Sequence, residues 1–227
     1  MNSMYEILMS LPLMKGVSHE RISQIAEMAK LHFLKYTEGE RIVTAGEPCT
    51  HIKFIITGSV RATITNRDGR FRVSQTITAP DVLSPDFLFG RHTIYPADVV
   101  SRETTGILQI AKTDYITILN TDSVFLFNFL NLLSTNAQKA VDGMLAVTEG
   151  SLTERIAFWI ISLTQPGSTD IVLSCRQRDL YSLFGVQRSS FTATMESMKA
   201  DGLIDFNSHE IIIKSRKRLL SVLNSPE

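Results

Sequence analysis

The sequence predicts an α+β chain built from an N-terminal jelly-roll β-barrel, a long dimerisation helix and a C-terminal winged helix-turn-helix. Three observations predict it. Short β-rich runs separated by Gly and Pro turns fill residues 31–111, as in closely spaced antiparallel strands. A sustained apolar heptad repeat follows over residues 122–148, the mark of a long helix with a partner. Within Arg178–Ala200 (RDLYSLFGVQRSSFTATMESMKA) two short amphipathic segments then meet at Gly185, the layout of a helix-turn-helix.

Composition bounds the function. At 227 residues, 44% of them hydrophobic, the chain has material for a core in each of two domains. The formal net charge is zero, which excludes a protein that coats nucleic acid non-specifically and makes any basic surface local. Cys49 and Cys175 are the two cysteines, too few for a four-thiolate cluster, and they read as ordinary reduced thiols. No apolar run reaches the length of a membrane span, and the N-terminus lacks the charged lead and apolar core of a secretion signal. The expectation is a cytoplasmic chain with no membrane partner.

The elements follow in order. Residues 5–30 read as helical, with Ile22, Ile25, Ala26 and Ala29 at helical spacing after a break at Leu11-Pro12-Leu13 and Gly16. LHFLKY, TEGERIV, HIKFIIT, GSVRATITN, RFRVSQTI, ADVVS and GILQIA then read as strands, with a turn at Arg67-Asp68-Gly69. Beyond Asp114 the period returns to helical, and Leu126, Leu130, Leu133, Ala137, Ala140, Met144 and Val147 form a heptad seam. Such a seam fits a parallel two-stranded coiled coil across a homodimer, with Phe125, Phe129 and Leu132 free to pack on the jelly roll. The alternative is that the seam itself packs there.

Glu149-Gly150 interrupts that helix, and Ser151-Leu152-Thr153-Glu154 is a capping box that starts the next. A hinge is therefore expected near Gly150. The new helix carries Ile156, Ile160 and Leu163 and stops at Gln165-Pro166-Gly167. After the helix pair, Leu203–Phe206 and Glu210–Ile213 read as a two-stranded wing. The domains are then a jelly roll over 1–115, a dimerisation helix over 116–149 and a winged helix-turn-helix over 150–227.

In the helix pair, Leu180, Leu183 and Phe184 form one apolar face, and Phe191, Met195 and Met198 form the other. Gln187, Arg188, Ser189, Thr192 and Lys199 are left pointing away, residue types suited to bases and phosphates. From Ser174 to Arg218 the cations Arg176, Arg178, Arg188, Lys199, Lys214, Arg216, Lys217 and Arg218 outnumber the anions.

The order of elements resembles the Crp/Fnr family of bacterial transcription regulators over nearly the whole chain. LPLMKGVSHERI is similar to that family's helical lead-in. YTEGERIVTAGEPCTHIKFIITGSV resembles its Gly-rich turns, with Gly39, Gly46 and Gly58 at the tight points, and LTERIAFWIISL and RDLYSLFGVQRSSF resemble its DNA-binding helices. The resemblance implies a cyclic-nucleotide-binding-like sensory domain, a homodimer, a double-stranded DNA operator, RNA polymerase as a partner if the protein activates, and a small-molecule effector. In family members that bind cyclic nucleotides, a cassette supplies a Glu to the ribose and an Arg to the cyclic phosphate. The matching stretch here is Ser84, Pro85 and Asp86 running on to Tyr95, Pro96 and Ala97, with Pro85 in place of the Glu and Tyr95 in place of the Arg. Proline has no carboxylate, and a phenol cannot neutralise a phosphate. Ala140 and Val141 replace the polar pair that the family's dimer helix offers to a purine. Cyclic AMP is therefore not expected to bind, no cofactor is expected, and the effector is unassigned. Arg91 and His92 near the cassette read as solvated loop residues, and His32 and His51 as strand residues rather than axial haem ligands.

By resemblance Arg188 falls on the principal base contact, where an Arg pairs with O6 and N7 of guanine. Ser189 and Ala193 replace further readers, so Gln187 and Ser189 are the additional candidates. Ser190, Thr192 and Thr194 are candidates for phosphate, as are Arg176 and Arg178 at the start of the first helix. Tyr181 replaces a small residue at the crossing of the two helices.

Two other function classes are on the table. An enzyme would draw on Asp81, Asp86, His92 and Asp98, but neither HxH nor HExxH spacing nor a phosphate loop is present, so no catalytic or metal-binding residue is assigned. A small-molecule binding module acting through protein contacts would need an apolar outer stripe on the helix pair, where polar residues stand instead.

Overall fold

The computed structural model describes residues 4–145, 148 and 150–223. Val147, the last residue of the expected seam, lies outside the described residues. The chain divides into two compact units, one of Met1–Arg61 and Thr78–Asn136, the other of Ala62–Ile77 and Ala137–Glu227.

The first unit opens with helices α1 (Met4–Ser10) and α2 (His19–Met28). Ser18 caps α2 by accepting the Arg21 amide at 3.3 Å, and Ile22 and Ile25 bury its apolar face. The strands are β1 (Leu31–Tyr36), β2 (Arg41–Val43), β3 (His51–Thr57), β4 (Ser59–Thr65), β5 (Arg72–Thr78), β6 (Asp81–Leu83), β7 (Asp98–Ser101) and β8 (Thr105–Ala111). Four of them form an antiparallel sheet in the order β1-β8-β3-β6, with Leu31 opposite Ile110 at one end of the β1–β8 ladder and Tyr36 opposite Thr105 at the other. β2 pairs with β7 at the end of a second sheet that also holds β4 and β5. Ile52, Phe54, Ile107, Leu108 and Ile110 are buried by these sheets. Between β3 and β4 the turn needs a glycine: Gly58 has φ +76°, and a Cβ there would lie 2.6 Å from the Thr104 carbonyl oxygen.

The predicted barrel is corrected to open sheets. Closure requires every strand to be paired on both sides, whereas β1 and β6 each end the four-stranded order. At three residues, β6 is too short to carry the ladder further, and its brevity also hid it from the sequence pattern.

The helical region after β8 consists of two helices, α3 (Lys112–Thr121) and α4 (Ser123–Leu145), bent by 116° at the break. Asp122 makes the corner. Its carboxylate accepts the amides of Val124 at 2.8 Å and Phe125 at 3.2 Å and takes Arg21 Nε at 2.9 Å, so one side chain caps the new helix and ties it to α2. Phe125 and Phe129 are buried as expected, while Leu126, Leu130 and Met144 are exposed. Leu133 is half-buried, and Ala137 and Ala140 are exposed. Among the described residues no single helix is long and apolar enough to cross a membrane.

The second unit contains α5 (Leu152–Ser162), β9 (Thr169–Ser174), α6 (Gln177–Leu183), α7 (Arg188–Ala200), β10 (Ile204–Phe206), β11 (Glu210–Ile213) and α8 (Arg216–Leu223). Gly150 has φ +82°, and the capping box forms. Ser151 Oγ accepts the Glu154 amide at 3.3 Å, and the Glu154 carboxylate accepts the Ser151 amide at 2.7 Å. Replacing Ser151 with Ala is expected to cost about 1 kcal/mol, read as a lower urea midpoint; an unchanged midpoint would mean the cap contributes nothing. The wing is a three-stranded arrangement in which β9 joins β10 and β11. The sequence pattern supplied only the last two strands, and α8 was not foreseen. Ile171, Leu173, Ile211 and Ile213 bury one face of that sheet against α5, α6, α7 and Leu219 of α8.

Candidate nucleic-acid interface

The reader is α6 and α7 joined across Phe184–Gln187. Gly185 has φ +64°, which lets the chain reverse while the Val186 amide still reaches the Tyr181 carbonyl at 3.0 Å. Leu180, Phe184, Phe191, Met195 and Met198 are buried in one cluster, so the opposite face of α7 is delivered to solvent. Gln187, Arg188, Ser189 and Ser190 are exposed there and Thr192 is half-buried. Leu183 is a correction: it is 46% exposed. At about 100° per residue, Leu183 stands on the other side of Leu180 from Phe184, and in so short a helix only one of the two can face the core. Tyr181, the bulky residue at the crossing, packs its ring on Phe191 with centroids 6.4 Å apart.

Arg155 of α5 is a residue that the sequence reading missed. Its guanidinium donates to the Phe184 carbonyl and lies 5.7 Å from the centre of the Phe184 ring, so it holds the turn that sets α7 against α6. Nothing in the spacing of the chain pairs residue 155 with residue 184.

The cationic surplus is smaller in space than in sequence. Arg216 donates to Thr164 Oγ1 at 3.0 Å and to the Ile161 carbonyl at 3.2 Å, and Arg218 donates to the Asp201 carbonyl at 2.7 Å; both cap helix C-termini. Lys199 and Lys214 share Asp205 at 2.9 and 3.6 Å. Arg176 precedes α6 as its N-cap and pairs with Asp179 at 3.1 Å. Arg178 and Arg188 have no ion pair among the described residues, and both are exposed. Thr194 turns its hydroxyl back to the Ser190 carbonyl at 3.0 Å, which engages it within its own helix.

The cassette has a different character. β6 leads into Ser84, held at φ 47° and ψ 47°, then a single 3-10 turn over Pro85–Phe87 with Pro85 buried. Asp86 points to Asn136, whose amide donates to both carboxylate oxygens at 2.9 Å. Tyr95 is only 4% exposed, and its hydroxyl donates to the His51 carbonyl at 2.8 Å. Burial holds the phenol far above its usual range, so it stays a neutral donor to backbone. Pro96 is half-buried, and Ala140 and Val141 are exposed on α4. Beside the cassette, Phe89 meets Phe129 edge-on at 5.7 Å and takes the Lys112 ammonium at 4.9 Å over its ring.

The other polar candidates are engaged separately. Burial pushes the Asp81 carboxyl up to about 6, while the Val82 amide donates to it at 2.7 Å. Asp98 accepts from the Ala45 amide at 3.2 Å and from Arg41 at 3.5 Å. Arg91 and His92 are exposed. His51 bonds through Nδ1 with Thr50 Oγ1 at 2.9 Å, and burial pulls its imidazole pKa down. Cys49 and Cys175 are buried free thiols, Cys175 pushed up to about 11 by desolvation.

Comparison with known proteins bears on both halves. Residues 33–122 match the model of the cyclic nucleotide-binding domain, and residues 154–222 match the Crp-like helix-turn-helix domain. Together these span well over half of the chain in the order that Crp/Fnr regulators use. The chain belongs to the Crp/Fnr family.

Solved structures agree in fold. The sensor domain of the transcriptional regulator DNR from Pseudomonas aeruginosa is 16% identical with a TM-score of 0.52, covering 65% of this chain and 93% of that one. The c-di-GMP responsive global regulator CLP of Xanthomonas campestris is 15% identical with a TM-score of 0.50, covering 87% and 100%. A search of curated proteins finds no match. This Crp/Fnr regulator is thus a DNA-binding transcription regulator carrying a cyclic nucleotide-binding domain, a family of regulators rather than enzymes.

Proposed function

We propose that this Crp/Fnr regulator acts as a cytoplasmic homodimer that reads an operator through Arg188 and responds to an effector other than cyclic AMP. The observation that carries the reading of the site is the exposed polar face of α7 above buried Phe191, Met195 and Met198, with Arg188, which has no ion pair among the described residues, in its first turn. Gln187 and Ser189 flank it as further base readers. Arg178, Ser190, Thr192 and the amide end of α7 supply phosphate contacts, and Arg176 joins them by leaving Asp179. Two copies, joined along the exposed stripe of α4, would present two readers to half-sites about one DNA turn apart. A signal felt by the sensory domain would shift α4 and the Gly150 hinge, and as an activator the dimer would contact RNA polymerase.

The exclusion of cyclic AMP rests on Tyr95 and Pro85. A phosphodiester needs a cation or free amides, and Tyr95 is buried with its hydroxyl given to a backbone carbonyl. Titration calorimetry of the purified protein with cyclic AMP is expected to show no saturable heat at millimolar nucleotide; a micromolar dissociation constant would overturn the exclusion. Fluorescence anisotropy with a random-sequence duplex is expected to show salt-dependent binding.

A further inference from the structure

The stretch between Arg61 and Thr78 belongs to the second unit, although the chain on both sides of it belongs to the first. Its strand β5 runs antiparallel to β9, with Val73 opposite Leu173 and Ser74 opposite Val172. β9 is paired with β11 on its other side, so β5 occupies an edge that the wing sheet would otherwise leave open. Side chains reinforce the ladder. Val73 is 3% exposed within the cluster that holds Ile171 and Leu173, and Phe71 packs on Trp159 with ring centroids 5.7 Å apart. The buried Gln75 side chain accepts the Gln165 amide at 2.8 Å.

Two features mark this as docking of an added strand rather than part of the reading fold. The region matching the helix-turn-helix family starts at residue 154, and so holds β9, β10 and β11 but not β5. The hairpin tip also leaves a cleft of about 450 Å³, bordered by Arg70 and Phe71 on one side and by Trp159, Asp179 and Leu183 on the other. The tip therefore reaches the first helix of the reader pair without filling the space beside it, and a partly filled contact releases more readily than a close-packed one.

We propose that the β4–β5 hairpin is an intramolecular latch: β5 docks on the free edge of β9 and, while docked, holds α5 and α6 so that duplex binding is weakened. The strand supplies main-chain hydrogen bonds, and Phe71 and Val73 supply the anchoring side chains, the usual division in strand addition. Past Thr78 the same chain runs through β6 directly into the Ser84–Phe87 turn of the cassette, so an event in the cassette has a covalent path to the latch that does not pass through α4.

The test uses the full chain in locked and released forms. Residues opposite each other on antiparallel strands have Cα atoms about 4.5–5.5 Å apart, within disulfide range, so Ser74→Cys with Val172→Cys locks the ladder on oxidation. Cys49 and Cys175 are buried and stay out of exchange. Phe71→Ala with Val73→Ser releases it, and the emission of Trp159, the one tryptophan, reports release as a red shift. In anisotropy titrations with one duplex, the oxidised cysteine form is expected to bind at least tenfold more weakly than the released form, with reductant reversing the loss. Should the released form not fold, the oxidised and reduced cysteine forms alone decide, with at least threefold weaker binding on oxidation expected. Equal affinities would remove the latch and leave the DNA reading intact, whereas no binding by any form at low salt would remove both.

Discussion

Replacing Leu130 with Glu is expected to turn a dimer into a monomer and to lower operator affinity by more than about a hundredfold, because two linked readers gain about 10² to 10⁴ over one. Leu130 lies in the middle of an α4 stripe where Leu126, Leu130, Val141, Met144 and Leu145 are all exposed, and Leu130 is exposed to 45% and Met144 to 72%. Full burial of such a side chain is worth roughly 1.5–3 kcal/mol, so these partly exposed residues each stand to gain about half of that against a second copy. Two-fold symmetry doubles each change, so the variant puts two carboxylates into one seam. Sedimentation equilibrium checks the mass and anisotropy the affinity. A Leu130→Glu protein that stays dimeric would mean that α4 is not the interface. The opposite face of the helix is no alternative, since Phe125 and Phe129 are already buried in the chain's own core.

Arg188→Ala is expected to remove about 1–3 kcal/mol of base discrimination at one position of each half-site, roughly fivefold to more than a hundredfold in relative affinity between the preferred and the substituted operator. Arg188 is free to do this because it has no ion pair among the described residues, unlike Arg176 and Lys199. Binding to unrelated duplex should change far less, since phosphate contacts carry that part of the affinity. A selection from randomised duplexes with both proteins measures the effect, and an unaltered preference would assign base reading to Gln187 or Ser189 instead.

What was legible beforehand came from local periodicity. The helix pair, its turn at Gly185, the capping box at Ser151 and the exposed stripe of α4 each rest on residues in local register along the chain, successive ones within about a turn of helix or two, and the folded chain keeps that spacing. Leu183 failed the same reasoning because α6 is only seven residues long, so which of its apolar positions faces inward depends on α5 and α7 rather than on its own pattern. β6 was too short to show an alternation. β9 does alternate, with Ile171 and Leu173 inward, but it lies between a helix end and a helix start where a loop was the simpler reading.

By itself the sequence determined the order of a cyclic nucleotide-binding domain and a helix-turn-helix and the face of α7 that is buried, because side-chain chemistry and short-range spacing survive folding unchanged. Only the tertiary structure decided which cations remain available and where the β4–β5 hairpin belongs. Arg216 and Arg218 count as basic surface in the chain but cap helix ends in space, and Tyr95 is buried with its hydroxyl given to a backbone carbonyl. The hairpin reads as jelly roll by position yet completes the edge of β9, since an unpaired strand edge takes whatever strand reaches it, however distant in sequence.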